Sequence, residues 1–261
     1  MAAVPRPRTV QVTRYVTPLR EGGSLPAIVE ANDDGMYVLK FRGAGQGPRA
    51  LVAELVAGEL ARALGLPVPE IVFAELDREL ARTEPDHEIH ALILDSDGLN
   101  LAIDYLPGSV TFDPIVQKIE PELAARIVWF DAYVTNVDRT VRNTNMLMWH
   151  RRLWLIDHGA TLYFHHTPDW ASDSSRPRAP FPMIKDHVLL RQARRLAEID
   201  DAMATALTPD TIAAIVDWIP ESWFAMDGTG DVERLRHSYV RYLSERLEAP
   251  RAFVQEARGG Q

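Results

Sequence analysis

Asn136-Val137-Asp138-Arg139-Thr140-Val141-Arg142-Asn143-Thr144-Asn145, then Met146-Leu147-Met148-Trp149, His150-Arg151-Arg152, Leu153-Trp154-Leu155-Ile156 and Asp157-His158-Gly159: this stretch decides the fold. An apolar helical segment, Leu123 to Val134, runs into a polar, turn-rich loop. Two short apolar runs follow, and their alternation predicts a hairpin with its turn near His150-Arg151. In that register Asp157 folds back beside Thr144, next to Asn143. An Asp in a loop, an Asn five residues later and a second Asp at the hairpin exit then converge. Those groups supply one proton acceptor and two oxygen ligands for a hard cation, as phosphoryl transfer from a nucleotide requires.

The upstream sequence supplies a cation. Thr9–Val16, Ala27–Ala31 and Met36–Phe41 read as three strands of a meander, with Asn32-Asp33-Asp34-Gly35 as a tight turn. Gly22 and Gly23 lie in the loop between the first two strands and are candidate nucleotide-binding glycines. Lys40 stands at the end of the third strand. A helix opened by Pro48, with Leu51, Val52, Leu55, Val56 and Leu60 at helical spacing, carries Glu54 within its apolar run and stops at Gly65 and Pro67. A strand-end Lys followed by a helix Glu is the ion-pair arrangement that holds a phosphate-binding lysine in place.

Val68–Leu76 reads as a further strand, Asp77–Asp95 as mostly helical with a Pro-containing break, and Leu99–Leu106 as a strand ending at Pro107-Gly108. That Pro-Gly separates a strand-rich part from a mostly helical one. Residues 167–182 form a long polar loop in which Ser174 and Ser175 could be self-phosphorylated, although ordinary loop serines account for them as well. From Ile184 to Ala257 the pattern is helical.

Bulk properties narrow the alternatives. With 28 Lys and Arg against 37 Asp and Glu the net charge is −9, the wrong sign for holding nucleic acid or anionic lipid by charge. The absence of cysteine excludes disulfides, thiolate zinc sites and thiol nucleophiles. His158, His165 and His166 do not have the spacing of a His-Glu-x-x-His helix or a zinc finger. No apolar run reaches membrane-spanning length, and the chain reads as soluble and cytoplasmic.

The motifs Tyr37-Val38-Leu39-Lys40-Phe41, Ala53-Glu54 through Leu64-Gly65-Leu66-Pro67-Val68-Pro69, Asn136-Val137-Asp138-Arg139 with Asn143, and Leu155-Ile156-Asp157-His158-Gly159 resemble those of HipA-like kinases, a group distantly similar to protein kinases and phosphatidylinositol 3/4-kinases. The resemblance covers roughly residues 10 to 165. It implies an α+β, two-lobed protein-kinase-like fold, with a strand-rich N-lobe over residues 1–106 and a mainly helical C-lobe over 107–261. It further implies ATP and Mg²⁺ as cofactors, Asp138 as the catalytic aspartate, Asn143 and Asp157 as metal ligands, and Lys40 as the phosphate contact fixed by Glu54. Arg139 is a second catalytic candidate, placed either to stabilise transferring charge or to pair with the neighbouring carboxylate. The chain departs from the family where His158 replaces the Phe of Asp-Phe-Gly, in its lipid-kinase-style Asp-Arg pair, and in having little room for the extra N-terminal subdomain of HipA toxins. The expected activity is transfer of the γ-phosphoryl group to a hydroxyl acceptor, with protein Ser/Thr favoured. A nucleotide-binding pseudokinase and a small-molecule or lipid kinase are the competing readings.

Overall fold

A computed structural model describes residues 5–19, 25–45, 47–167, 169–224 and 231–260. Gly22 and Gly23 therefore lie outside the described residues. The first half is a five-stranded closed barrel of β1 (Thr9–Pro18), β2 (Ala27–Ala31), β3 (Met36–Lys40), β5 (Gly98–Asp104) and β4 (Ile71–Leu76), in that spatial order. The expected meander is present, antiparallel from β1 to β3. Its β2–β3 turn places Asp34 at φ 62° and lets Asp33 accept from the Gly35 amide at 3.1 Å, the behaviour that suits Asp and Gly to tight turns. Closure comes from β1 pairing in parallel with β4, Thr9 opposite Phe73 and Val10 opposite Ala74.

Alternation sorts the barrel residues by face. Val10, Val12, Val29, Leu39, Val72, Ala74 and Ala102 fill the interior together with Ile89 and Ile93 of α2 (His87–Asp95). Ile71, Phe73, Leu101 and Ile103 point outward from β4 and β5 into a second, larger core. Both faces of β4 are therefore covered, which explains its nearly unbroken apolar sequence. The β4 ladder starts at Ile71, later than the expected Val68, because Pro67 and Pro69 lack the amide a ladder needs. The Asp77–Asp95 region resolves into a 3-10 turn, Arg78–Thr83, and α2, with Pro85 between them.

α1 (Pro48–Ala63) lies across the outer face of β4 and β5. Every residue from Leu51 to Ala61 is buried, so the helix is enclosed all round, and it carries Glu54 and Glu59 into the interior with it. Gly58 permits the close approach: a Cβ there would stand 2.3 Å from Ile71 Cδ1.

Among the described residues the second half contributes α3 (Pro121–Tyr133), the hairpin β7 (Met146–Trp149) and β8 (Arg152–Leu155), and five more α-helices: α4 (Leu196–Ala206), α5 (Pro209–Asp217), α6 (Glu221–Phe224), α7 (Val232–Arg246) and α8 (Ala252–Gly259). The hairpin has the anticipated register, Met146 opposite Leu155 and Trp149 opposite Arg152, with His150 and Arg151 at φ 47° and 63° in the turn. A third strand, β6 (Val110–Thr111), pairs with β7 and lies beyond what alternation in so short a segment reveals. One apolar core runs from β4, β5 and α1 through α3 and the hairpin to α8, crossing the Pro107-Gly108 boundary without interruption. No helix among the described residues is long and apolar enough to cross a membrane.

Candidate active site

Three segments far apart in sequence meet at the ammonium of Lys40. As the last residue of β3, Lys40 emerges where the barrel opens toward α1 and the hairpin exit. Its Nζ donates to Glu54 Oε2 at 2.5 Å and to Asp157 Oδ1 at 2.6 Å. The Glu54 side chain is fully enclosed, whereas that of Asp157 is 49% exposed. Burial by itself pulls the lysine pKa down, but the charges of Asp157 and Glu54 outweigh it and hold the ammonium above its ordinary value. Glu54 is affected by the same balance in reverse: burial pushes its carboxyl up, and the Lys40 charge carries it below the usual range. A recess lined by Lys40, Phe41, Ala50, Leu51, Asp157 and Gly159 opens beside this ion pair.

His158 extends the cluster inward. Its ring is fully buried, packs edge-on against Phe130 with centroids 6.2 Å apart, and brings Nδ1 to 3.6 Å from Glu54 Oε1. At that separation neither ring nitrogen nor Glu54 Oε1 makes a hydrogen bond among the described residues. The buried histidine follows Asp157 directly, where Asp-Phe-Gly has its aromatic, and turns Nδ1 toward the Glu54 oxygen that Lys40 does not contact.

The loop after α3 forms the second group. Asp138 Oδ2 accepts from Asn143 Nδ2 at 2.7 Å and from Asn145 Nδ2 at 3.1 Å, and the Asp138 amide donates to Asn136 Oδ1 at 3.0 Å. Asp138 Oδ1 and the two amide oxygens, Asn143 Oδ1 and Asn145 Oδ1, accept no hydrogen bond among the described residues. The two groups are stitched together by backbone: the Ile156 amide donates to the Asn145 carbonyl at 3.0 Å, directly before Asp157. Left-handed backbone at Asn145 (φ 47°) and Asp157 (φ 56°) marks both turning points.

Arg139 does not belong to the open site. Its side chain is fully enclosed, with Nε donating to Asp131 Oδ2 at 2.6 Å and Nη1 to the Asn145 carbonyl and, at 3.5 Å, the Ile156 carbonyl. The expectation that Arg139 stabilises transferring charge, or pairs with Asp138, is corrected: its carboxylate partner is Asp131, inside the protein. Asp131 also accepts from Asn136 Nδ2 at 2.9 Å and faces His187 Nε2 at 2.8 Å. Because His187 Nδ1 accepts from the Leu189 amide, its Nε2 carries the proton and donates to Asp131. Burial pushes the Asp131 carboxyl up, yet Arg139 and His187 leave it well below the usual range. Asn136 joins this buried network to the Asp138 loop, donating to Asp131 and accepting the Asp138 amide. The network's one sequence signal is Asp131 itself, a carboxylate set in the apolar run Val128–Tyr133, which requires buried partners.

Lys40, Glu54 and Asp157 thus converge, and Asp138, Asn143 and Asn145 converge beside them. No group of three or more His, Asp or Glu able to hold a metal ion occurs among the described residues. The donors present, one half-exposed carboxylate and amide oxygens, suit Mg²⁺, which keeps most of its waters and takes few protein ligands.

A comparison with curated proteins gives no match. Among solved structures, the Helicobacter pylori proinflammatory kinase CtkA is similar at TM-score 0.56 and 14% identity, covering 96% of this chain and 97% of that one. The Golgi casein kinase, in a structure with Mn/ADP bound, gives TM-score 0.44 at 13% identity, covering 95% of this chain and 75% of that one. At such identities the likeness to the first speaks to the fold alone. The model of the HipA-like kinase family matches residues 12–249, a span that takes in all of the barrel but the first residues of β1, together with the Lys40 ion pair, the Asp138 loop and most of the helical half. The chain belongs to the HipA-like kinase family.

Proposed function

We propose that the protein is a two-lobed kinase that binds ATP with Mg²⁺ between residues 1–106 and 107–261. It transfers the γ-phosphoryl group to a hydroxyl acceptor, with the Ser or Thr of a protein as the favoured class. The observation that carries this reading is the three-way contact of Lys40 with Glu54 and Asp157, beside an Asp138 that takes both of its amide donors on one oxygen, Oδ2. A solely structural ion pair has no need of a second carboxylate that is half exposed at the mouth of a recess.

In this mechanism the side chains position and neutralise. Lys40, held by Glu54, sets its ammonium against the nucleotide phosphates. Asp157 and Asn143 would hold Mg²⁺, which supplies positive charge to the phosphate oxygens. Asp138 Oδ1 accepts the proton of the acceptor hydroxyl as its oxygen bonds to the γ-phosphorus and the bond from that phosphorus to the bridging oxygen of ADP breaks. Oδ2, engaged by two amide donors, keeps the carboxylate in orientation.

Incubation with γ-labelled ATP and cell lysate, followed by separation of protein, lipid and soluble fractions, tests the assignment. Label should enter protein, and Asp138→Ala should reduce it by roughly 10³-fold or more while ATP binding persists. Bound ATP with no label in any fraction would instead identify a pseudokinase, and label in lipid or a small molecule would move the acceptor class.

A further inference from the structure

Asn145 is 7% exposed and sits at φ 47°, a left-handed conformation that asparagine tolerates better than most residues. Its polar groups tie together three pieces of the site. Nδ2 donates to Asp138 Oδ2 at 3.1 Å. Its carbonyl receives the Ile156 amide at 3.0 Å and also the guanidinium of Arg139. One residue therefore holds the Asp138 carboxylate by its side chain and the approach to Asp157 by its backbone. Asn143 reaches the same carboxylate oxygen, but it is exposed, and its carbonyl binds the Thr140 amide within the same loop at 2.9 Å. Asn143 can thus orient Asp138 within the loop, whereas only Asn145 of the two anchors it to the hairpin.

We infer that Asn145 is a positioning residue, which fixes Asp138 relative to Asp157 and leaves Asp138 Oδ1 as the atom that meets the acceptor hydroxyl. The inference rests on the kinase reading and adds to it a residue whose effect on turnover passes through Asp138. It also separates the paired amides by role: Asn143 is free to turn its oxygen to a cation, while Asn145 is committed to holding the loop.

A kinetic double-mutant cycle tests it. Asn145→Gly retains the left-handed backbone and the carbonyl contacts and deletes the amide alone. In the wild-type background it should lower kcat by about 10²-fold, the usual consequence of a misplaced catalytic group, with KM for ATP nearly unchanged. In an Asp138→Asn background the same change should cost less than about twofold, since the group it positions is already disabled. Asn145→Asp, which sets a second carboxylate against Asp138, should be at least as impaired as the glycine variant. Equal loss of kcat in both backgrounds would overturn the inference, as would a glycine variant with wild-type kcat or one affected only in KM. A folded wild-type chain that binds ATP and gives no turnover overturns the inference together with the kinase reading, whereas measurable turnover with an additive cycle overturns the inference alone.

Discussion

Lys40→Met is the substitution whose consequences the structure specifies most fully. It removes the ammonium from between Glu54 Oε2 and Asp157 Oδ1 while keeping much of the side-chain volume. Asp157 is half exposed and falls back on water, so its loss of a partner costs little. Glu54 is fully enclosed, and the next cation-capable group, His158 Nδ1, stands 3.6 Å from its other oxygen. Stranding a buried carboxylate in this way costs about 3–5 kcal/mol. For a protein of this size that corresponds to a fall in Tm of roughly 6–20 °C. The sign with pH follows from the direction of each shift. In the wild type Glu54 is held below its ordinary value, so its contribution is present above the unfolded-state pKa and fades as pH falls through the folded one. In the variant the Lys40 charge, the largest influence opposing burial, is gone and the Glu54 pKa rises, so stability is lost as pH rises above the unfolded value. Denaturant unfolding at pH 5 and pH 8 should therefore show a gap between the two proteins that widens at pH 8, and Glu54→Gln added to Lys40→Met should recover most of it. A pH-independent gap that Glu54→Gln does not narrow would refute the reasoning. The same experiment guards the functional one, because an inactive Lys40→Met protein is informative only at a temperature where it remains folded.

Three further outcomes are expected. Burial raises the Glu59 carboxyl from 4.5 to about 7, so the unfolded chain releases that proton first and stability declines between those values, by about 3 kcal/mol in all. Glu59→Gln should accordingly be more stable than the wild type at pH 8 and equal to it near pH 4; equal stability at both would show that Glu59 ionises normally. Arg139→Lys should lower Tm, since one ammonium cannot replace a guanidinium shared among Asp131 and two carbonyls. A variant of unchanged Tm with a raised KM for ATP would return Arg139 to the open site. Asp157→Ala should weaken Mg²⁺-dependent ATP binding by roughly 10-fold or more in calorimetry, the scale on which losing a charged ligand contact acts, and an unaltered titration would remove Asp157 from metal binding.

The Asp138–Asp157 part of the site was legible because its geometry is local. A two-residue turn fixes the hairpin register, and the register alone carries Asp157 back to the Asn143–Asn145 segment. Lys40 and Glu54 were readable for a related reason: strand end, short bridge and helix leave few ways for the two to lie apart. The misreading of Arg139 came from long-range burial. Sequence order sets it beside Asp138, but its guanidinium turns inward to Asp131 and to the carbonyls of Asn145 and Ile156. Barrel closure was hidden in the same way, because Thr9 and Phe73 pair across more than sixty residues and nothing in the period-two pattern of either strand names its neighbour. His187 joins Asp131 from a segment that reads only as helical tail.

Trp223 of α6 has its indole nitrogen on the Leu99 carbonyl at 3.1 Å and its ring tilted against Phe73, 6.0 Å away, while α1 packs on α5 and α6. An indole from the helical tail is thus wedged into the outer wall of the barrel, like a bolt through two plates. A scissor-like opening about Pro107-Gly108 would have to draw that ring out of apolar surroundings and abandon its hydrogen bond. Any such opening is therefore opposed by a buried ring and a hydrogen bond that join the two sides of that dipeptide.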